Sequence, residues 1–548
     1  MKSYWILLKV TLKNAFRPDT SRKGSKAIYL LALALLGIIF GVGLISGTIF
    51  MGPAFLREGM GAEYMTIMFV AAQVVVLIFG TAFLIGVVFF HRDADIVLAL
   101  PVKASTLFFA KLTYVYLTEL AISALVVLTS GITLGILGAL GGYAGFGIVY
   151  YLMLVAAALL LPLLPLLIGA VLSMPIMYVI SFFKKRGAIA GIVMAVLMMG
   201  FFVAYFAVFA NLSSGEADEE FNFFLTEESI AAIRYAMNFV LPDFALARLM
   251  FLRDVGVSVA IVLGSYAVLG GLAFLVASLT YRKSLSMQLE ASGSQKIGKV
   301  EYTRLSLSRA LIRKDAREIL RHHYLMFYVL MQILLGPILI FFLGSQLNEF
   351  NNIVDMSIIS LVTGFYMISW IGVGMNYIAL SSITREGENF AFVKTLPIST
   401  REYMKAKVKL ADVVSLISVI VGSLTLALTG VVNAYRAVLL VVCLTVLADG
   451  FNHFLCNLDL VRPKLHYESL SQALKNNVNS LVAMGVVLLA LLPIAVVLGV
   501  CGAFLPVVGG WLEVVMWIAI AAIVVGENFF FRRFLFRNLE LKLRMIEC

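Results

Sequence analysis

Apolar runs long enough to cross a bilayer follow one another along the whole chain, separated by short polar breaks. A crossing needs about 20 residues, so the runs at 28–50, 64–90, 113–138, 145–180, 188–210, 256–279, 324–345, 354–380, 410–431, 434–456, 480–500 and 511–531 predict twelve transmembrane helices. Two further stretches, 2–17 and 304–321, each precede a crossing. In the first, Lys2, Lys9, Lys13 and Arg17 share one helical face while Trp5, Leu8 and Leu12 lie opposite, the pattern of a helix resting in the inner membrane interface. Span 145–180 carries Pro162, Pro165 and Pro175 and predicts a kinked or broken helix.

The pattern occurs twice. An offset of 296 residues lays Leu100-Pro101-Val102 on Leu396-Pro397-Ile398, Ala110-Lys111 on Ala406-Lys407, and Lys13 and Arg17 on Arg309 and Arg313. The prediction is an all-α polytopic membrane protein: two parallel six-helix repeats, each preceded by an interfacial amphipathic helix. Residues 1–279 form the first half (interfacial helix 2–17, crossings within 28–279). A polar linker follows at 280–303, and residues 304–548 form the second half (interfacial helix 304–321, crossings within 324–531, then a tail). The halves differ on the outer side. The first has a long segment, 211–255, whose apolar run Phe239–Phe244 is expected to dip to the outer membrane surface, and the second has only a short turn. In both halves the break after the second crossing carries a proline expected to open a short helix.

Composition agrees. The chain is 62% hydrophobic and 13% charged, against about a quarter charged in soluble proteins, and its mean hydropathy is +1.01. The net charge of +11 is topological: with the N-terminus inside, 37 of the 42 Lys and Arg fall in cytosolic segments. That places both termini in the cytosol of a multi-pass protein of the cell membrane and removes the reason to expect a nucleic-acid partner. The partner it does imply is the lipid bilayer.

Chemistry is sparse. Gly293–Lys299 fits G-x-x-x-x-G-K, but Val300 stands where a Mg²⁺-binding hydroxyl is needed. Neither His nor Cys spacing suggests zinc. No catalytic, cofactor-binding or metal site is expected in this chain. Four acids, Glu119, Asp412, Asp449 and Glu527, lie in the inner thirds of their spans. They read as a proton or cation relay, or as paired groups that hold helices together, the second being favoured by their closeness to the helix ends. Gly131, Gly135 and Gly138 suit close helix packing.

Three stretches resemble the permease subunits of ABC-2-type ABC exporters, in the fused twelve-helix form of bacterial ABC exporters: Leu98–Lys111 with Lys394–Lys407, the two leading interfacial helices, and the charged loop Asp459–Glu468 with Lys475-Asn476-Asn477. The first half departs at the third stretch, where it has only Lys184-Lys185-Arg186. The resemblance implies a transmembrane subunit that couples ATP hydrolysis by a separate subunit to export. It implies two copies of a soluble ABC ATPase, which would bind ATP and Mg, and an exported substrate that the resemblance leaves unspecified. The coupling residues would be Asp93, Asp95, Leu100, Pro101, Lys103 and Lys111 in the first half. In the second they would be Glu386, Glu388, Leu396, Pro397, Arg401, Lys405 and Lys407. The alternative is a twelve-helix secondary transporter of the major-facilitator kind, although His91–Ile96 lacks the glycines and basic pair expected after that carrier's second crossing.

Overall fold

The computed structural model describes residues 2–15, 25–89, 101–180, 227–293, 305–353, 364–467, 470–475, 477–508 and 510–546, with isolated positions between 188 and 203 and at 361. Among these the regular structure is helical throughout. In chain order the helices are α1 (Lys2–Ala15), α2 (Ser25–Arg57), α3 (Gly61–Val75), α4 (Thr81–Phe89), α5 (Ala104–Leu140), α6 (Ile148–Leu160) and α7 (Leu163–Ile180). Next come α8 (Glu227–Met237), α9 (Leu241–Met250), α10 (Val255–Gly293), α11 (Leu307–Arg321), α12 (His323–Ile353), α13 (Tyr377–Leu380) and α14 (Phe390–Thr395). The last are α15 (Thr400–Leu428), α16 (Ala434–Val461), α17 (Leu470–Lys475), α18 (Val478–Val508), α19 (Trp511–Phe536) and α20 (Leu539–Arg544).

Ten helices among the described residues are long and apolar enough to cross a membrane. The second predicted crossing is α3 and α4 joined through a π-helical turn, Val76–Gly80, and the fifth, 188–210, lies largely outside the described residues. The protein is thus a twelve-helix membrane protein. It forms two compact units: Met1–Lys23, Leu33–Lys184 and Gly200–Lys296 make the first, and Gly24–Ala32, Lys185–Met199 and Ile297–Cys548 the second. In each unit, "basic end" here means the end bearing the breaks rich in Lys and Arg.

In the first unit, span 145–180 is interrupted at its first proline: α6 stops at Leu160 and α7 begins at Leu163, with Leu161 keeping helical angles. Pro162 has no N–H, and its ring crowds the preceding turn. The three glycines of α5 do let α6 approach. A Cβ on Gly131 would meet Leu154 at 2.3 Å, one on Gly135 Tyr151 at 2.8 Å, and one on Gly138 Phe146 at 2.2 Å. Helix α1 forms as predicted and is pinned to α5 by Tyr4 Oη and Thr113 Oγ1 at 2.7 Å. Its Trp5 and Ile6 remain 64% and 62% exposed, which suits a helix bathed in lipid.

The outer segment goes deeper than the sequence suggested. Helix α9 does not rest on the outer surface; it packs among α3, α6 and α10 with Asp243, Leu246, Ala247 and Met250 buried. At its C-terminal end, Phe251 closes over Gly61, where a Cβ would come within 2.8 Å of the ring, and Arg253 Nη2 donates to Gly59 O at 3.3 Å. At its N-terminal end, Gln73 Nε2 donates to Asp243 Oδ1 at 2.6 Å. Gln73 is twelve residues beyond Gly61 on a helix, roughly 18 Å at 1.5 Å per residue. Helix α9 therefore enters the bundle from the opposite end to the basic one. Burial of Leu246, Leu249 and Met250 outweighs the cost of taking in Asp243 because Gln73 supplies the carboxylate's donor.

Candidate functional site

The second unit gathers charge at its basic end, and its construction starts from one acid. Asp459, fully buried near the end of α16, accepts at Oδ2 from the backbone N–H groups of Ile383 at 2.6 Å and Thr384 at 2.9 Å. It thereby caps the 3₁₀ turn Thr384–Asn389, whose first N–H groups have no partner within the turn. Thr384 Oγ1 accepts from Lys464 N at 3.1 Å, and Tyr467 Oη donates to Arg385 O at 3.3 Å. Gly387 has φ +55°, and a Cβ there would lie 3.1 Å from Tyr467 Oη; both facts favour glycine. The charged loop 459–467 is thus clasped to the break.

Four charged side chains meet beneath this turn. Asp315 of α11 receives Arg385 Nη2 at 2.8 Å and Lys407 Nζ of α15 at 2.9 Å. Glu386 is bonded by Lys407 and by Lys314, and Tyr403 Oη donates to its Oε1 at 3.1 Å. Side-chain exposure is 0% for Arg385, 2% for Lys407 and 4% for both acids, while Lys314 at the rim is 47% exposed. Two buried acids thus face two buried bases, and the inner charge sums to zero. Beside them, burial pushes the Glu318 carboxyl up, with Arg385 opposing it. The cluster locks the leading helix α11, the break and the third crossing α15 into one body.

This placement corrects part of the expectation. Glu386 and Lys407, predicted to face a partner, are buried and satisfied within the chain, because α15 begins ten residues earlier than the apolar run and carries Lys407 under the break. A hydropathy run stops at lysines, whereas a helix does not. The prolines are corrected too. Pro101 and Pro397 do not open helices; each lies two residues before an N-cap, Lys103 and Ser399, and Ser399 Oγ accepts from Glu402 N at 3.2 Å. The helices that follow are the third crossings themselves, not short elements. The separate short helix, α14, comes before Leu396-Pro397.

The outward face of the break consists of Glu388, α14 with Phe392 66% exposed, Pro397, Arg401 and Lys405, with Leu396 half-buried. Arg401 lies 5.4 Å over the ring of Phe536, and Lys394 Nζ donates to Ile546 O. A cleft of about 680 Å³ opens beside this face, lined by Thr400, Arg401, Phe536, Asn538, Leu541 and Arg544.

In the first half Asp93, Asp95 and Leu100 lie outside the described residues. Pro101 and Lys103 are exposed and Lys111 is buried. The offset puts Phe89 and Phe90 at the positions of Arg385 and Glu386. Phe89 and Phe108 both pack edge-on to Tyr281, at 6.0 and 5.6 Å, so an aromatic ring stands at the position of Arg385, while the buried Lys111 keeps that of Lys407.

Of the four intramembrane acids, Asp412 and Asp449 are each bonded by an asparagine in the second unit. Asn452 Nδ2 donates to Asp412 Oδ1 at 2.9 Å, and Asn528 Nδ2 donates to Asp449 Oδ2 at 2.7 Å. Glu527 is half-buried on α19. Glu119, in the first unit, is fully buried on α5 and packs on Gly80, where a Cβ would meet its Cγ at 3.2 Å. Gly80 belongs to the π-turn, and the second crossing of the other half has one too, Ile368–Gly374. There Gln332 Nε2 donates to Gly372 O at 2.7 Å, and Asn376 Nδ2 donates to Ser415 Oγ at 3.0 Å. Asn376 and Ser415 are the offset counterparts of Gly80 and Glu119.

Sequence reasoning missed Asp315, Arg385 and Tyr403. The available signal was Asp315 itself, an acid midway along a strongly basic amphipathic stretch. Among the described residues no group of three or more His, Cys, Asp or Glu is placed to hold a metal.

No curated protein and no solved structure matches this chain. A family model described as "Membrane protein of 12 TMs" matches residues 26–532, and with the helices above, the chain belongs to that family of twelve-span membrane proteins.

Proposed function

We propose that the chain is the membrane subunit of an ATP-driven exporter of the ABC-2 kind, moved by two copies of a soluble ATPase that bind the ATP and Mg. Its setting would be the cell membrane, with both termini in the cytosol. One observation carries the reading: the three stretches behind the resemblance converge in the second unit. The leading helix, the break and the late charged loop are joined through Asp315, Arg385, Glu386, Lys407 and Asp459. A partner pushing on α14 would move a braced body rather than a loose loop, because Asp315, Arg385, Glu386 and Lys407 are each held by an opposite charge and Asp459 by the backbone N–H groups of the break. The exposed Phe392, Pro397, Arg401 and Lys405 supply the outer face of that body. Substrate export is the corresponding activity, and no chemistry is assigned to this chain.

The test is co-purification of the tagged chain with an ATPase of the ATP-binding-cassette class, at two ATPase copies per chain, and its loss in Phe392→Asp. Membranes that export a substrate with no such ATPase attached, or export after ATP depletion with a proton gradient intact, would sink the reading. The latter result favours the secondary-transporter alternative, whose supporting observation is the amide-bonded acids Asp412 and Asp449 within the membrane-spanning helices.

A further inference from the structure

Helix α20 closes the basic end of the second unit. Asn538, at φ 54°, turns the chain from α19 into it, a left-handed angle that asparagine tolerates. Lys542 Nζ donates to Asn457 Oδ1 of α16 and to Phe534 O of α19, both at 2.7 Å, and Lys394 of α14 donates to Ile546 O just beyond α20. Leu539, Leu543 and Ile546 are buried, while Leu541, Arg544 and Met545 stay exposed. The cleft of about 680 Å³ lies between this fixed helix and the start of α15. The crossing α19 ends at Phe536 in the cleft wall, so the cleft sits at the level where the chain leaves the apolar layer. We propose that it binds the headgroup of an anionic phospholipid from the leaflet at the basic end, with Arg401 and Arg544 taking the phosphate.

Charge supports this first. Among the described residues neither guanidinium makes an ion pair or a hydrogen bond, although Glu540 lines the same cleft. Two arginines against one glutamate leave the lining with one net positive charge, which matches the single negative charge of a phosphodiester. Arg401 lies 5.4 Å over the Phe536 ring, a contact that holds the guanidinium by its face and leaves its N–H groups open. Those planar donors match phosphate oxygens, and Thr400 and Asn538 add neutral donors for the ester and glycerol oxygens. Apolar surface supports it second. Leu541 and Met545 are four residues apart, on one face of α20 beside Arg544. Acyl chains would cover them, whereas a free phosphate would not. A basic pocket at the membrane–water boundary is the setting in which lipid headgroups are recognised. The volume also falls within the range of roughly 300–1,000 Å³ typical of ligand sites. Phe392, the centre of the face proposed for the ATPase, is outside the lining. The lipid site therefore goes beyond ATP coupling and does not depend on it.

Native mass spectrometry of the purified full chain tests the proposal, with phosphatidylglycerol or phosphatidylcholine supplied in micelles of a neutral detergent. Expected is saturable retention of phosphatidylglycerol in preference to phosphatidylcholine. Retention should weaken at least about tenfold in Arg401→Gln/Arg544→Gln. It should be unchanged in Arg313→Gln/Arg317→Gln, which removes the same charge from exposed positions of α11. Both cleft arginines are exposed, so the first variant should melt with the parent; if it does not fold, each single variant must weaken retention about threefold or more. Equal retention of phosphatidylcholine, an equal loss in the α11 control, or full retention by a folded cleft variant overturns the proposal. Displacement of the lipid by inorganic phosphate overturns it too, because the cleft would then be a site for the free anion. So does a cleft variant that keeps its lipid and loses the ATPase, since the arginines would then serve an acidic protein surface. No ATPase enters the lipid measurement, so its failure is separate from failure of the exporter reading.

Discussion

Lys407 holds the tightest electrostatic position in the second unit, with its ammonium between Asp315 and Glu386 and only 2% of its side chain exposed. Removing one partner of a buried ion pair leaves an uncompensated charge and costs about 3–5 kcal/mol. Lys407→Met is therefore expected to lower stability by that amount in detergent, measured by thermal or denaturant unfolding. Lys407→Met combined with Glu386→Gln should recover part of the loss, since the stranded carboxylate is then gone. A change below about 1 kcal/mol in the single variant, the range of an exposed pair, would mean that the ions are solvated. Asp459 makes a second residue-scale case. Asp459→Ala strands the N–H groups of Ile383 and Thr384, each worth about 1–3 kcal/mol when buried and unpaired, and hydrogen exchange at those two amides should quicken while α18 is unaffected.

At the scale of elements, a short exposed helix, α14, is mounted on a buried brace. The two can be separated by mutation. Phe392→Asp changes a side chain that is 66% exposed, so its unfolding free energy should stay within about 0.5 kcal/mol of the parent, while binding of the proposed ATPase partner falls at least tenfold. A matching loss of stability would instead assign Phe392 to the core. Helix α9 gives the converse case. Gln73→Leu removes the donor to Asp243 and should loosen α9 without unfolding α5 or α6, read as faster hydrogen exchange confined to residues 241–250. The crossing starts at the basic end were illegible for a definite reason: lysines end a hydropathy run but extend a helix, so α5 and α15 begin well before their apolar stretches. The break of span 145–180 was legible because proline acts through its own ring, whatever surrounds it.

For the whole molecule, the sidedness of charge leads to a labelling prediction. In a background lacking reactive cysteines, Lys103→Cys and Lys405→Cys should resist a membrane-impermeant thiol reagent in intact cells and react in inverted vesicles. Leu252→Cys, 59% exposed at the opposite end, should show the reverse. Identical labelling of all three from outside would invert the topology. The sequence by itself determined the number of crossings, because a bilayer imposes apolar length on the chain residue by residue. Only the tertiary structure decided which charges face inward. Asp315, Arg385, Glu386 and Lys407 are spread over 93 residues, and apart from the lone acid Asp315 in its basic stretch nothing in their local patterns distinguishes them from solvated charges. Their pairing exists only once α11, the break and α15 are packed. The same holds for Leu98–Lys111 and its counterpart Lys394–Lys407: the repeat marks where the breaks are, and packing makes the second one part of a brace.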